Sequence, residues 1–424
     1  MRIHPARSFR GRFHLPGDKS ISHRAAILGA MAEGETRIHN FASAADCAST
    51  LACLRALGVE VEREGGEVRV RGHGLEAWRA PAGPLDAGNS GSTLRMLAGA
   101  LAGRPFPSVL TGDDSLRRRP VERVAVPLRL MGARVASTGG NPPLTIEGGG
   151  LRPLAYDSPV ASAQVKTAVL LAGLQAEGVT TVREPAASRD HTERMLPRFG
   201  VPVERTEHGV SVRGVARLRA AEVAVPGDAS SAAFPVVAAL ILPGSEVRLD
   251  GVLLSPGRSA FLDVLKAMGG QVETGLTSTD PEPVGWIAAR SSRLRGVTVD
   301  PALVPALIDE VPALAVAAAF AEGTFTVSGA GELRVKESDR IATLAEALAR
   351  MGASVEERPD GLSVHGGRRL RGAAVRSRGD HRIAMAFAVA ALAAEGPTEI
   401  EEAECASVSF PEFYELLARG AGGG

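Results

Sequence analysis

The sequence predicts an α/β fold of two similar domains, each built from three repeats of one order of helices and strands, six repeats in all. Two observations lead to this prediction. A polar turn that opens an alanine-rich helix recurs about every 70 residues, and glycines that end helices recur in the same phase. The chain of 424 residues is long for one domain, so three repeats in each of two domains is the natural division.

The polar turns mark the predicted helix starts. Serine and aspartate favour the N-cap of a helix and alanine favours its interior, so a polar turn before an alanine-rich run predicts where a helix begins. One interval, before Ile308, is longer than the others. The six predicted starts are Leu15–Arg24, Gly88–Arg95, Ser158–Lys166, Gly227–Phe234, Ile308–Pro312 and Gly379–Ile383.

Glycines mark the predicted helix ends. A glycine after a large apolar residue, with a valine three positions later, is typical of a helix C-terminus followed by a strand. This pattern occurs at Gly58, Gly132, Gly200, Gly269 and Gly352. A Glu-Gly or Pro-Gly pair after the first helix introduces a further strand, at Glu33, Glu177, Pro243, Glu322 and Glu395. Each repeat is therefore predicted to run helix, strand, helix, strand, strand.

A Pro-Gly-Asp turn occurs twice and suggests where the domains divide, at Gly17 and at Gly227. If the first strand, Ile3–Leu15, belongs with the later repeats, the chain crosses between the domains at both turns. The predicted domains are residues 18–226, and residues 1–17 together with 227–424. Two such crossings suit a hinge, and closure of the domains over a ligand is expected.

Composition excludes several classes of protein. Lys+Arg and Asp+Glu both total 48 and aromatic residues are 4%, which disfavours nucleic acid or a membrane surface as partner. Three cysteines without metal-ligand spacing fit a reducing cytosol and predict neither disulfides nor a metal site. The start lacks an apolar signal core, and the longest apolar runs, Val311–Ala321 and Ile383–Ala394, are too short to span a bilayer. We expect a cytoplasmic protein.

Charged residues gather at five of the six predicted helix starts and in three loops. They lie at Lys19, Arg24, Arg95, Lys166, Asp309, His381 and Arg382, and in the segments 116–120, 188–193 and 333–340. Cations with few acids beside them, near helix N-termini, suit phosphate or carboxylate groups. Two acids among them, Asp309 and Glu337, could move protons. From the residues alone, salt bridges and solvated helix starts explain these charges equally well.

Eight motifs, in order along essentially the whole chain, resemble the 5-enolpyruvylshikimate-3-phosphate synthase family of enolpyruvyl transferases. They are Leu15–Arg24, Gly88–Arg95, Arg118–Pro120, Ser162–Lys166, Ser188–Glu193, Ile308–Glu310, Arg334–Arg340 and Asp380–Arg382. The resemblance implies three βαβαββ units per domain, in an inside-out α/β barrel. It also implies transfer of the enolpyruvyl group of phosphoenolpyruvate to the 5-hydroxyl of shikimate 3-phosphate, by a monomer without cofactor or metal.

The resemblance also implies roles for individual residues. Those implied to bind shikimate 3-phosphate are Lys19, Ser20, Arg24, Ser162, Ala163, Gln164, Ser188, Arg189, Asp309 and Lys336. Those implied to bind phosphoenolpyruvate are Lys19, Gly91, Arg119, Gln164, Arg340 and Arg382. Asp309 is similar to the base that takes the 5-hydroxyl proton, and Glu337, with Lys19, is similar to the group that moves the methylene proton.

Two positions depart from the pattern of the family. Ala163 stands where many relatives have serine, so only its backbone can contribute. Val408 stands where some relatives have a lysine that contacts phosphoenolpyruvate, so the predicted site lacks one cation. The phosphoenolpyruvate pocket is also where glyphosate binds in sensitive relatives, beside the position of Gly91.

Two alternatives stay open at this point. A sister enzyme transfers enolpyruvyl to UDP-N-acetylglucosamine and typically carries a reactive cysteine in the loop that corresponds to Thr111–Pro120, which has none here. A non-catalytic repeat protein that binds an anionic partner or RNA is the other alternative. The acids Asp309 and Glu337 argue against a passive anion binder, and the zero net charge argues against RNA.

Overall fold

The computed structural model describes residues 1–206, 209–214 and 217–422, which divide into two compact units. The first unit is Gly17–Val225, and the second unit is Met1–Pro16 together with Pro226–Gly424. The predicted crossings near Gly17 and Gly227 lie next to these boundaries. What each unit binds, and whether the units close on a hinge, stay predictions.

Three four-stranded sheets of one topology build the first unit. In each, a short strand pairs parallel with the strand after the first helix, and the hairpin that ends the repeat adds two antiparallel strands. In spatial order the strands are Glu222–Ala224, Glu33–His39, Glu67–His73 and Glu60–Glu64; Leu85–Asp86, Pro107–Thr111, Asn141–Glu147 and Arg134–Thr138; and Ala155–Asp157, Val179–Arg183, Gly209–Arg213 and Val203–Thr206.

The helices of the first unit pack together inside it. The first helix of each repeat is almost wholly buried, and small residues let the helices approach closely: a Cβ on Gly99 would lie 2.1 Å from the carbonyl oxygen of Ala168. The α-helices are Lys19–Met31, Ala45–Ala56, Gly91–Leu101, Asp114–Arg117, Glu122–Leu130, Ala163–Gly173 and His191–Met195, with 3-10 turns at Leu75–Ala77 and Leu196–Phe199. Helices inside and sheets outside fit the expected inside-out barrel.

The second unit repeats this arrangement, but two of its three sheets have three strands instead of four. Its sheets are Arg10–His14, Glu246–Leu253, Val284–Arg290 and Gln271–Ser278; Thr324–Val327, Gly361–His365 and Ser354–Arg358; and Ala374–Arg376, Thr398–Glu401 and Arg2–Ile3. In the second of these, isolated parallel bridges such as Thr298 to Thr326 replace the short first strand. Its α-helices are Ala229–Ile241, Pro256–Ala267, Val304–Leu307, Val311–Ala319, Arg340–Arg350, His381–Leu392 and Phe413–Ala421. The 3-10 helices are Pro301–Leu303, Gly331–Val335 and Ala403–Val408.

The sixth repeat differs from the predicted pattern. After the strand Thr398–Glu401 the chain continues through a 3-10 turn into the helix Phe413–Ala421, and no strand follows in the residues described up to 422. The N-terminal strand Arg2–Ile3 takes the free antiparallel position beside Thr398–Glu401 instead.

Each unit is completed by a strand that is distant in sequence. Arg10–His14 pairs parallel with Glu246–Leu253 in the second unit, and Glu222–Ala224 pairs parallel with Glu33–His39 in the first. At the first crossing, a Cβ on Gly17 would lie 1.8 Å from the carbonyl oxygen of Asn40. Backbone contact of this kind requires glycine at the first crossing.

The glycine pattern predicted from the sequence is confirmed. All five glycines that were predicted to end helices have positive φ, from +81° to +107°, and the valine three positions later lies in a strand in every case. Across the described residues, no single helix is both long and apolar enough to cross a membrane. The helical segments Pro301–Leu307 and Val311–Ala319 meet the criteria of length and hydropathy only when they are taken together, and the chain bends by 113° between them.

Candidate active site

The predicted site residues fall into two clusters, one in each unit, at the starts of buried helices. The Lys19 cluster of the first unit comprises Lys19, Ser20, Arg24, Gly91, Arg119, Ser162, Ala163, Gln164, Ser188 and Arg189. The Arg340 cluster of the second unit comprises Asp309, Lys336, Glu337, Arg340 and Arg382.

Lys19 is held by a carboxylate that the sequence analysis did not identify. Asp18 caps the helix, because its Oδ1 accepts a hydrogen bond from the Ile21 N–H at 2.8 Å, and this makes Lys19 the first helical residue. The Lys19 Nζ lies 2.7 Å from Oδ2 of Asp46, in the first turn of the helix Ala45–Ala56. The lysine side chain keeps 18% of its surface exposed. The pair fixes the direction of the cation while leaving it accessible.

Arg24 connects the first and third repeats. Its Nε donates to Oγ1 of Thr192 at 2.8 Å, and its Nη2 donates to Oγ1 of Thr167 at 2.9 Å and to the carbonyl of Ala163 at 3.4 Å. Its Nη1 donates to the carbonyl of Ser20 at 2.9 Å. This buried guanidinium therefore connects Ser20 with Ala163 and also holds Thr167 and Thr192.

Gly91 lies against two guanidinium groups. It begins the helix Gly91–Leu101, capped by Ser90, and a Cβ here would lie 2.5 Å from Nη1 of Arg95 and 3.7 Å from Nη1 of Arg119. Arg119 is buried, and its Nη2 donates to Oδ1 of Asn89 at 2.7 Å. A side chain at Gly91 would therefore displace the guanidinium of Arg95.

Gln164 joins two of these helix starts. Its Oε1 accepts from Nη1 of Arg95 at 2.8 Å, and its Nε2 donates to Oγ of Ser92 at 2.9 Å. These two bonds define which side of the amide carries the oxygen. Arg95 also donates to the carbonyl of Pro120 at 3.1 Å, so Gln164 is fixed relative to the arginine loop as well.

Ser162 and Ser188 both contact Glu184, which the sequence analysis did not identify. Ser162 caps the helix Ala163–Gly173, and its backbone N–H donates to Oε1 of Glu184 at 2.8 Å. The Ser188 hydroxyl donates to Oε2 of the same carboxylate at 2.8 Å. Arg189 follows, half-buried, on the same loop.

Lys166 corrects the expectation that the cations have few acids beside them. Its Nζ lies 2.8 Å from Oε2 of Glu184 and 2.7 Å from Oε1 of Glu193, and all three side chains are buried. Burial works to lower the pKa of Lys166, but the charges of Glu193 and Glu184 outweigh it and raise that pKa. The acids lie later in the chain, where spacing in the sequence does not reveal the contact.

The same correction applies to Arg340, which three carboxylates surround. Its Nε donates to Oδ2 of Asp380 at 2.8 Å, its Nη1 to Oδ1 of Asp309 at 3.3 Å, and its Nη2 to Oε2 of Glu337 at 2.7 Å. Burial works to lower the pKa of Arg340, but the three carboxylate charges outweigh burial and raise it. Three hydrogen bonds leave two of the five N–H groups of a guanidinium for another acceptor.

Asp309 and Glu337, the two acids proposed from the sequence, thus contact the same guanidinium, that of Arg340. The side chains of Asp309 and Glu337 are 19% and 15% exposed, and the Nζ of Lys336 lies 3.8 Å from Oδ1 of Asp309. Salt bridging, which the residues alone left open, is therefore present. Partial exposure leaves room for each acid to act on a ligand as well.

Asp380 links Arg340 to Arg382. This fully buried residue, which the sequence analysis did not single out, caps the helix His381–Leu392: its Oδ1 accepts from the Arg382 N–H at 2.9 Å. Its Oδ2 accepts from Arg340 and, at 3.1 Å, from the hydroxyl of Ser338. The Arg382 guanidinium is buried, yet Nε and Nη1 have no hydrogen-bond partner among the described residues. Unsatisfied buried donors are costly and are a feature of anion sites.

Comparison with known proteins identifies the family. The family model of EPSP synthase (3-phosphoshikimate 1-carboxyvinyltransferase) matches residues 3–417. A 3-phosphoshikimate 1-carboxyvinyltransferase of Pelotomaculum thermopropionicum is 54% identical over 423 residues, which cover 99% of this chain and 98% of the relative. This chain therefore belongs to the EPSP synthase family, as the motifs predicted.

Solved structures agree with this assignment. EPSP synthase from Acinetobacter baumannii superposes with a TM-score of 0.88 at 44% identity, over 99% of this chain and 97% of that one. The enolpyruvyl transferase NikO from Streptomyces tendae superposes with a TM-score of 0.79 at 20% identity, over 99% of this chain and 96% of that one, which shows a shared fold.

Proposed function

We propose that this enzyme transfers the enolpyruvyl group of phosphoenolpyruvate to the 5-hydroxyl of shikimate 3-phosphate and releases phosphate. The full-length relatives that bear the name of this activity support the substrates. In the structure, the observation that carries the proposal is the Arg340 cluster, where Asp309 and Glu337 meet on one arginine beside a second arginine with unsatisfied donors.

Asp309 and Glu337 would divide the proton transfers. Asp309 takes the proton of the 5-hydroxyl as its oxygen bonds to C2 of phosphoenolpyruvate, and Glu337, with Lys19, supplies a proton to C3. In the second step Glu337 removes a proton from C3, the C2–C3 double bond reforms, and the C2–O bond to phosphate breaks. The proton taken by Asp309 passes to the leaving phosphate. Contact with Arg340 supports the ionised form that Asp309 needs as a base in the first step, and that Glu337 needs in the second step after it has given up its proton.

The donor substrate would be bound by arginines. Arg119, Arg340 and Arg382 suit its phosphate and carboxylate, because each charge-assisted hydrogen bond contributes roughly 1.5–3 kcal/mol. Gly91 leaves space beside Arg119 at a helix start, and Gln164 and Lys19 complete this set. The unsatisfied donors of Arg382 support an anion at that position.

The acceptor would be bound by the residues implied by the resemblance. They are Lys19, Ser20, Arg24, Ser162, the backbone of Ala163, Gln164, Ser188, Arg189, Asp309 and Lys336. The bonds of Arg24 to Ser20 and Ala163, and of Glu184 to Ser162 and Ser188, support two fixed segments for the 3-phosphate. We still predict that the protein is a cytoplasmic monomer that needs no metal or cofactor and binds no nucleic acid.

The test compares two acceptors in one assay of phosphate release from phosphoenolpyruvate. We expect release with shikimate 3-phosphate and none above background with UDP-N-acetylglucosamine. Asp309→Asn serves as a control of matched size, and its preparation should release little phosphate with either acceptor. Turnover with the UDP-sugar alone would overturn the proposal.

A further inference from the structure

Glu184 is the centre of a buried polar cluster in the first unit. It follows the strand Val179–Arg183, and its side chain is 8% exposed. Its Oε1 accepts from the backbone N–H of Ser162, and its Oε2 accepts from the hydroxyl of Ser188 and from Nζ of Lys166, each at 2.8 Å. One carboxylate therefore connects a helix N-cap, a loop and a buried lysine.

The charges in this cluster do not balance. Lys166 brings one positive charge to two buried carboxylates, and Oε2 of Glu193 has no hydrogen-bond partner in the described part of the chain. A buried ion pair of this kind contributes little net stability, because desolvation offsets the attraction between the charges. Stability alone therefore does not account for the cluster.

The contacts of Glu184 determine what the neighbouring serines can offer a ligand. The Ser188 hydroxyl has one proton, which it donates to Glu184, so its backbone N–H is the donor left for an anion. Ser162 differs, because its hydroxyl oxygen accepts from the Val165 N–H and its own proton remains to donate. The hydroxyl of Ser188 thus acts as a tether of its loop.

We propose that Glu184 is a positioning residue for the 3-phosphate of the acceptor. Its carboxylate holds Ser162–Gln164 and Ser188–Arg189 in one arrangement, and its contact with Lys166 offsets part of its negative charge near the phosphate. Glu193 contacts the same lysine through its Oε1. The inference rests on the proposed function, because that function assigns both segments to the 3-phosphate.

The test is the Glu184→Gln variant, assayed by steady-state kinetics with both substrates varied. In the wild type, one oxygen of Glu184 accepts from the Ser162 N–H and the other accepts from the Ser188 hydroxyl and from Lys166. An amide has one acceptor oxygen, so glutamine can accept on only one of these two sides. We expect KM for shikimate 3-phosphate to rise about tenfold, the effect of one hydrogen bond to a charged group. The kcat value and KM for phosphoenolpyruvate should stay within about twofold of wild type.

Glu193→Gln is the matched control. It removes the same charge from the same lysine but contacts neither serine, so its KM for shikimate 3-phosphate should stay within about twofold of wild type. Binding of unphosphorylated shikimate, measured by calorimetry, should be the same in wild type and Glu184→Gln. A general loss of packing would weaken both ligands and would also lower the unfolding temperature.

A double mutant tests the tether directly. If the Ser188 hydroxyl acts through Glu184, then Ser188→Ala raises KM in the wild-type background but adds less than about twofold to Glu184→Gln. An unchanged KM in Glu184→Gln, or equal effects in Glu184→Gln and Glu193→Gln, overturns the inference. These outcomes require an active wild-type enzyme, and a wild type without turnover on shikimate 3-phosphate would instead overturn the proposed function.

Discussion

The Nη2 of Arg340 lies 2.7 Å from Oε2 of Glu337, so the proposed proton carrier is in direct contact with a proposed ligand of the donor substrate. The same guanidinium also holds Asp309. A change to any one of these three side chains therefore alters the surroundings of the other two, and their mutational effects should not be additive.

Replacing Asp309 by alanine should lower kcat by about 10²–10⁴, the usual contribution of a general base. KM for phosphoenolpyruvate should also rise, because Arg340 loses a fixed partner. Both quantities come from initial rates of phosphate release. A variant with the kcat of wild type would remove Asp309 from the mechanism.

Arg382→Gln should separate stability from activity. Within the described part of the chain, Nε and Nη1 of this buried guanidinium have no acceptor. We therefore expect its loss to leave the free energy of unfolding unchanged or increased, while KM for phosphoenolpyruvate rises about 100-fold. Urea unfolding and steady-state kinetics measure the two effects.

Arg340→Gln is the contrasting control for that experiment. It removes the partner of three carboxylates, and breaking such a buried pair costs about 3–5 kcal/mol. Equal destabilisation of the Arg340 and Arg382 variants would contradict the interpretation of Arg382 as a ligand site.

Replacing Gly91 by alanine should weaken glyphosate inhibition and raise KM for phosphoenolpyruvate. The new Cβ would lie 2.5 Å from Nη1 of Arg95, which must move and so disturb its bond to Gln164. Gly83→Ala is a suitable control, since no atom lies within 4 Å of its Cβ position. Unchanged inhibition in Gly91→Ala would show that this position does not border the pocket.

The protonation of His39 should make stability depend on pH. This exposed histidine bridges Glu222, on the strand Glu222–Ala224, and Glu67. The hydrogen bond to Glu222 is the main cause of the raised pKa of His39, and the hydrogen bond to Glu67 raises it further. Slight burial acts in the opposite direction but does not outweigh them. Because the folded pKa exceeds that of the unfolded chain, the contribution is complete below about pH 6.5 and is lost as pH rises through the folded pKa.

Urea unfolding of wild type and Glu222→Gln across that pH window checks this prediction. The difference between their free energies of unfolding should shrink as pH rises. A constant difference would mean that the bridge does not depend on the charge of His39.

Local chemistry explains which parts of the fold the sequence predicts. Local contacts define the N-caps Asp18 and Ser90 and the helix-ending glycines such as Gly58. Each acts on backbone within a few residues, so the sequence pattern predicts where these helices begin and end. The irregular sixth repeat cannot be predicted from local sequence in this way. It depends on Arg2–Ile3, which pairs with residues at the opposite end of the chain.

The same distinction applies to the site. Motifs identify the side chains at the helix starts, but their partners depend on packing between distant segments. Asp46 lies 27 residues from Lys19, and Asp380 lies 40 residues from Arg340. Asp46 and Asp380 look like ordinary first-turn or helix-capping residues. Lys166 looked like a cation available to a ligand because Glu184 lies 18 residues further along the chain, after a strand.

The central claim is tested most directly by phosphorus NMR of the wild-type enzyme with phosphoenolpyruvate and shikimate 3-phosphate. We predict that the phosphoenolpyruvate resonance is replaced by that of inorganic phosphate, one for one, while the acceptor keeps its 3-phosphate and gains an enolpyruvyl group. Phosphate release without the acceptor, release from the acceptor itself, or an unchanged spectrum would contradict the proposed transfer.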